Sequence, residues 1–267
     1  MTDPQSLPCS IDGSISPLAE ARIPVADEGF LRGDGAFEVL RLYGGKPFAL
    51  RDHLDRLERT AEGIFLEWDR PALEREIDAL LAANGAGEEC LRLVITRGGR
   101  RIAMIEKAPP FLHDMVLQSV TYEPTVVLTG LKTLSYCANM TATRIAQSRG
   151  AKEALLVAPG GRVMEAPTST IFWADAQGAL YTPRLESGIL ASITRDRIMQ
   201  VAPVEEGDYE MSDVLGAAEA FLASSVREVQ GVAEVDGVSF NAPGPATQRV
   251  AGLLSERIQA ELAGGAR

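Results

Sequence analysis

A chain of 267 residues, 46% hydrophobic and 24% charged, has the length and composition of an ordinary globular protein with one large or two modest domains. Its formal net charge of −11 argues against a polyanion partner, since nucleic-acid binders need a basic surface, and no apolar run reaches the ~20 residues that cross a bilayer. Three scattered cysteines (Cys9, Cys90, Cys137) and two histidines (His53, His113) offer neither a disulfide framework nor zinc-ligand spacing, so no metal is expected and a reducing compartment is.

At the start of the chain, Met1 to Ile11 carries Asp3 and lacks a basic start and an apolar core. A signal peptide is therefore not expected, and the cytoplasm is the default. Phe37 to Tyr43 (FEVLRLY) is rich in β-formers, and Gly44-Gly45 follows it as a hairpin turn. Arg51 to Phe65 puts Leu54, Leu57, Ala61, Ile64 and Phe65 on one helical face. Pro71 opens a second helix through Leu73, Ile77, Leu80 and Leu81, which Asn84-Gly85 stops. Strands are predicted at Cys90 to Thr96 and Arg101 to Glu106, joined by a short Arg-Gly-Gly loop. Lys107 to His113, with two adjacent prolines and no period, reads as a linker. Beyond it come a strand at Met115 to Thr121, a helix from Tyr136 to Arg149, and strands at Glu153 to Val157 and Gly161 to Glu165 about the Pro159-Gly160 turn. A strand pair at Thr170 to Ala174 and Ala179 to Thr182, a helix near Thr194 to Val201 and a closing helix from Pro245 to Leu262 complete the pattern. The expected organisation is two mixed α/β domains: residues 1–108, a linker at 109–113, and 114–267 carrying the chemistry-bearing lysine.

Four segments carry that chemistry. They are Asp27 to Glu38 (DEGFLRGDGAFE), His53 to Leu57 (HLDRL), Lys132 to Tyr136 (KTLSY) with Glu165 about thirty residues on, and Ile189 to Arg195 (ILASITR). In this order and spacing the chain resembles the class IV aminotransferases, the fold-type-IV pyridoxal-phosphate (PLP) family. That family includes D-amino-acid and branched-chain aminotransferases and aminodeoxychorismate lyases. The similarity runs over roughly residues 20–240.

The resemblance implies PLP as cofactor and Lys132 as the catalytic residue, a primary amine that forms a Schiff base with the cofactor aldehyde and then moves the α-proton. It implies Arg56 as phosphate anchor, a planar and always-charged fork; otherwise Arg56 is a surface helix arginine paired with Asp52 or Asp55. The backbone N–H groups of Ile193 and Thr194, the Thr194 hydroxyl, and Ser224 with Ser225 would supplement it; the plain alternative for the two serines is a strand-end turn. Glu165 would take the hydrogen bond of the protonated ring nitrogen, and Tyr136 would bond the phenolic oxygen. Thr168-Ser169-Thr170 departs from the family's more usual Ser-x-Asn. Gly33-Asp34-Gly35 lacks the spacing of a nucleotide loop and reads as a turn into the pocket strand.

On the substrate side, Phe37 would pack on the substrate side chain, while Glu38 equally suits a structural pair with a nearby arginine. Arg32, Arg97, Arg100 and Arg101 are the candidates for the substrate carboxylate, although Arg97 in Thr-Arg-Gly suits a loop brace as well. The expected function is transamination between an amino acid, D- favoured, and an α-keto acid, by a homodimer. Branched-chain L-aminotransferase and aminodeoxychorismate lyase stand as alternatives, and a non-catalytic binding protein as the reading from another class.

Overall fold

The computed structural model describes residues 3–112 and 114–264 and divides into two units. One holds the chain up to Pro109 together with Leu131–Tyr136 and the last residues from Glu261. The other holds Pro110–Gly130 and Cys137–Ala260. His113, the last residue of the expected linker, lies outside the described residues. The segment with Lys132 belongs to the first unit rather than to the second. Its backbone is stitched to the first sheet: Ala36 bridges Thr133, and the Phe37 N–H donates to the Lys132 carbonyl over 3.1 Å.

The first unit is one sheet with helices on one face. Its elements are β1 (Pro8–Ile11), β2 (Ser14–Pro17), α1 (Glu28–Arg32), β3 (Gly35–Tyr43), β4 (Lys46–Pro47), α2 (Leu50–Gly63), α3 (Arg70–Asn84), β5 (Cys90–Thr96) and β6 (Arg101–Glu106). The order β2-β1-β6-β5-β3-β4 is antiparallel throughout. Alternation in β3 sends Ala36, Glu38, Leu40 and Leu42 to the core side, all fully buried, and Phe37, Val39 and Arg41 to the other. Leu54, Leu57 and Ala61 of α2 and Leu73, Ile77 and Leu80 of α3 share a buried cluster with Leu40, Leu42, Leu91 and Leu93. Each such leucine contributes roughly 1.5–3 kcal/mol by leaving water.

Turns follow local chemistry. Gly44 and Gly45 both have positive φ (57° and 81°), the signature of a two-residue hairpin turn in which a side chain would strain the backbone. The Asp69 side chain caps α3 by accepting from the Ala72 N–H at 3.0 Å, and Pro71 sits in the first turn. The helix expected to reach Phe65 ends at Gly63. Phe65 takes a left-handed φ of 54° and is 87% exposed, while the Leu66 N–H reaches back to the Ala61 carbonyl at 2.8 Å. This is a left-handed helix stop in which Leu66, not Phe65, occupies the buried position.

The second unit is a mixed sheet. Its elements are β7 (Met115–Thr121), α4 (Cys137–Ser148), β8 (Glu153–Val157), β9 (Thr170–Ala174), β10 (Leu180–Pro183), α5 (Ile193–Val201), β11 (Val204–Gly207), α6 (Met211–Leu215), β12 (Glu219–Ser224), β13 (Glu228–Val235), β14 (Val238–Ser239) and α7 (Pro245–Ala263). The order is β11-β10-β9-β12-β13-β7-β8, with β14 on β13. The β10–β11, β13–β7 and β7–β8 pairs are parallel. Strands β8, β9 and β12 are buried along their whole length, as their near-continuous apolar runs require. Phe172 and Phe221, register partners on β9 and β12, stack with ring centres 5.1 Å apart. The strand expected at Gly161–Glu165 forms only isolated bridges, because Val163 pairs with Val157 on one side while its N–H donates to the Tyr209 carbonyl on the other. Among the described residues no helix is long and apolar enough to cross a membrane.

Candidate active site

In the first unit, the face of β3 opposite to Glu38 and Leu40 carries the buried Phe37, and Lys132 lies against its ring. The Lys132 amine sits 4.3 Å from the centre of the Phe37 ring and 5.8 Å from that of Tyr136. The two rings meet edge to face, 5.3 Å apart at 82°. The lysine backbone N–H donates to the Thr60 hydroxyl of α2 at 3.3 Å, so this short segment is tied to helix as well as sheet. A primary amine held by two aromatic walls is a defined seat. A solvated surface lysine has no such walls.

Beneath that seat lies a buried charge cluster. Arg56 of α2 forks onto Glu38 of β3, with Nε to one carboxylate oxygen and Nη2 to the other, both at 2.7 Å. The same carboxylate meets His53 Nδ1 at 2.8 Å. Glu38 and His53 are fully buried and Arg56 nearly so. Burial alone pushes the Glu38 carboxyl up. The Arg56 charge and the bonds from Arg56 and His53 prevail and hold it at about 2. His53 is pushed down, first by burial and then by the charges of Arg56 and Lys132, against the pull of Glu38. The imidazole is therefore neutral at neutral pH and the pair Glu38–Arg56 is charged. Asp55 pairs with Arg70 at 2.7 Å.

The four arginines singled out for the substrate carboxylate are all engaged by other groups of this unit. Arg32, 72% exposed, pairs with Glu28 one turn back. Arg97 binds Asp34 at 2.6 Å and donates to the Phe65 and Ile64 carbonyls at 3.0 and 2.7 Å, which makes it a brace for the end of α2. Arg100 pairs with Asp12. Arg101 donates to Glu76 from two nitrogens, at 3.1 and 2.8 Å. A fifth arginine, not among those candidates, faces the same Phe37 ring as the lysine. Arg92 of β5 holds its guanidinium carbon 5.6 Å from the centre of the same Phe37 ring and meets Glu106 through Nε at 2.7 Å. The signal that finds it is register: Val39 faces Arg92 across the ladder, so Arg92 stands on the Phe37 side of the sheet.

The second unit brings together the remaining predicted groups. Both carboxylate oxygens of Glu165 accept from the Leu190 N–H, at 3.2 and 3.3 Å. Three residues later α5 begins, with Ser192 as N-cap accepting from the Arg195 N–H at 3.3 Å. Ile193 and Thr194 supply first-turn N–H groups that no helix can pair internally. The Thr194 hydroxyl lies 3.4 Å from that of Ser225, in the turn between β12 and β13, and the Ser224 hydroxyl accepts from the Arg227 N–H at 3.3 Å. One unit thus presents a carboxylate bonded to the Leu190 N–H and, three residues after Leu190, a helix start with paired hydroxyls. A carboxylate suits a protonated ring nitrogen as acceptor, and helix-start N–H groups with hydroxyls suit a phosphate as donors, the two polar groups of PLP.

A family model described as amino-transferase class IV matches residues 35–235. The chain belongs to the class IV aminotransferases. It is 30% identical, over 90% of its length and 92% of the relative's, to a D-alanine aminotransferase of Listeria innocua. It is 28% identical to an aminodeoxychorismate lyase of Bacillus subtilis, covering 93% of this chain and 94% of that one. Among solved structures it resembles a branched-chain aminotransferase of Thermoproteus uzoniensis crystallised with norvaline, at 27% identity, 96% coverage of both chains and a TM-score of 0.86. As a class IV aminotransferase it is a PLP-dependent transaminase with the fold-type-IV architecture, a mixed α/β fold with two sheets and their helices.

Proposed function

We propose that this transaminase moves the amino group of a D-amino acid to an α-keto acid. The observation that carries the reading is the wall formed by Phe37, which seats both the Lys132 amine and the Arg92 guanidinium. A base for the α-proton and a cation for a carboxylate thereby share one surface. When bound, PLP supplies an aldehyde for the amino group and an electron sink for the carbanion.

The chain's own residues do the rest. Lys132 would offer its amine to the cofactor aldehyde and serve as the base that holds and returns the proton at the substrate Cα. Arg56, the first-turn N–H groups of Ile193 and Thr194, and the hydroxyls of Thr194, Ser224 and Ser225 would hold the phosphate. Glu165 would accept a hydrogen bond from the ring nitrogen and favour its protonated form, and Tyr136 would bond the phenolic oxygen. Phe37 packs on the substrate side chain. All five arginines, Arg32, Arg97, Arg100, Arg101 and Arg92, pair with a carboxylate of their own unit; Arg92 is favoured for the substrate carboxylate because it shares the Phe37 ring with the Lys132 amine. The D-preference is supported by the likeness to D-alanine aminotransferases, and transamination rather than lysis by Phe37-Glu38-Val39 in the pocket strand.

Mixing the PLP-loaded enzyme with one amino acid and no keto acid tests this reading. D-Alanine or D-glutamate should discharge the visible band of the lysine-bound cofactor. Discharge by L-leucine or L-valine alone selects the branched-chain reading, and pyruvate release from aminodeoxychorismate selects the lyase. The enzyme is further proposed to be a cytoplasmic homodimer. Cys9, Cys90 and Cys137 are all free thiols, and Val25, Phe30, Leu31 and Phe65 expose apolar surface on the first unit that a second copy would cover. Sedimentation at assay concentration checks this, and a fully active monomer refutes it.

A further inference from the structure

We propose that Glu153 and Arg227 form a clamp that positions the phosphate-binding turn of the second unit; the inference rests on the reading of Thr194 and Ser225 as phosphate ligands. Glu153 opens β8, and its side chain is 5% exposed. One of its oxygens accepts from Arg227 Nη1 at 2.7 Å and the other from the Thr168 hydroxyl at 2.9 Å. Arg227 lies in the turn that carries Ser225, and Thr168 lies in the loop that follows Glu165. One buried carboxylate therefore fastens two ligand-bearing loops to the same strand. The Glu165 backbone is fastened to that strand too: its carbonyl accepts from the Leu156 N–H at 2.9 Å.

The turn needs such a fastening. Ser225-Val226-Arg227 connects β12 to β13, and Glu228, which follows, holds a φ of 55° without being glycine. A left-handed non-glycine residue is strained and persists only where its surroundings over-determine it. The Arg227 N–H also donates to the Ser224 hydroxyl at 3.3 Å, so the arginine fixes the turn from both main chain and side chain. Within that turn the Ser225 hydroxyl meets Thr194 at the start of α5. If the clamp opens, the hydroxyl pair loses its register with the helix start, and an anion seated there loses part of its shell. The clamp also gives a reason for Thr168-Ser169-Thr170 here: Thr168 supplies the hydroxyl that Glu153 accepts.

The test compares the affinities of the full-length protein for PLP and for pyridoxal, which has the same ring and aldehyde but no phosphate. Wild type should bind PLP at least about a hundredfold more tightly, as charge-assisted anion contacts imply. Arg227→Met and Glu153→Gln should each weaken PLP by about tenfold while pyridoxal moves less than about twofold. Arg227→Lys should restore part of the loss, and the double variant should be no worse than either single one. Thr168→Val, on an exposed residue that keeps the fold intact, should give a smaller loss of the same kind. Equal weakening of PLP and pyridoxal, or no weakening of either, overturns the clamp while leaving the phosphate reading in place. A wild-type protein with no preference for PLP over pyridoxal overturns the phosphate reading and the clamp with it.

Discussion

Glu38→Gln keeps the shape of the side chain and removes the charge at the centre of the buried cluster. In the wild type one carboxylate takes three bonds, two from Arg56 at 2.7 Å and one from His53 at 2.8 Å, with no solvent at Glu38. A glutamine has one acceptor oxygen and turns an NH2 donor toward a donor, so at least one bond is lost and the Arg56 cation stays buried without its counter-ion. Removing one partner of a buried pair costs about 3–5 kcal/mol, two to four orders of magnitude in the folding equilibrium. At roughly 2–4 °C per kcal/mol for a domain of 150–250 residues, the midpoint of the cofactor-free protein should fall by on the order of 10 °C. Urea and thermal unfolding at pH 7 measure this. Glu38→Gln combined with Arg56→Met should recover part of the loss, since no buried charge is then left without its counter-ion. A single-variant cost below about 1 kcal/mol, or strictly additive losses in the double variant, would refute the reasoning.

The same cluster sets an acid limit. Both Glu38 and His53 have folded-state pKa values below their unfolded ones, so the unfolded chain binds more protons as pH falls and stability falls with it. Wild type should lose stability below about pH 6.5 through His53 and again below about 4.5 through Glu38; His53→Asn should flatten the upper step, and an unchanged slope between pH 7 and 5 in that variant would contradict the assignment. Arg56→Ala should weaken PLP by about 2–4 kcal/mol with partial rescue by excess cofactor, and a change below about threefold in a dialysis measurement would move the phosphate elsewhere. Arg92→Met should lower kcat/KM by about 10–150-fold, the worth of a charged hydrogen bond, whereas Arg97→Met should lower the melting temperature and leave kcat/KM within about threefold. The reverse pattern in steady-state assays would return the substrate carboxylate to Arg97.

Much of the fold was legible because its strands obey simple rules. Cys90–Thr96, Arg101–Glu106, Met115–Thr121, Glu153–Val157 and Thr170–Ala174 are bounded as their β-rich runs and turn residues suggest. The hairpin of β1 and β2 was not legible: short Cys-Ser-Ile and Ser-Ile-Ser runs between prolines carry little β signal and pair at the edge of the sheet. Strand β12 (EAFLAS) reads as well as helix, and only burial between β9 and β13 makes it a strand. Phe65 misled because periodicity is blind to a helix stop that turns one residue outward. In the site, the amine, the ring-side carboxylate and the hydroxyls sit in recognisable local segments. Arg92 and Glu153 do not: their roles arise from cross-strand register and from contacts far apart in sequence. Glu38 shows both sides, since its suitability for an arginine was readable but its partner, Arg56, was not.

If Lys132 bears the cofactor, the attachment is directly measurable, because the chain has only four lysines: Lys46, Lys107, Lys132 and Lys152. Borohydride reduction of the PLP-loaded enzyme followed by peptide mass spectrometry should place the pyridoxyl phosphate increment on Lys132 alone. An increment on any of the other three, or none on Lys132 in an enzyme that still turns over, would contradict the account.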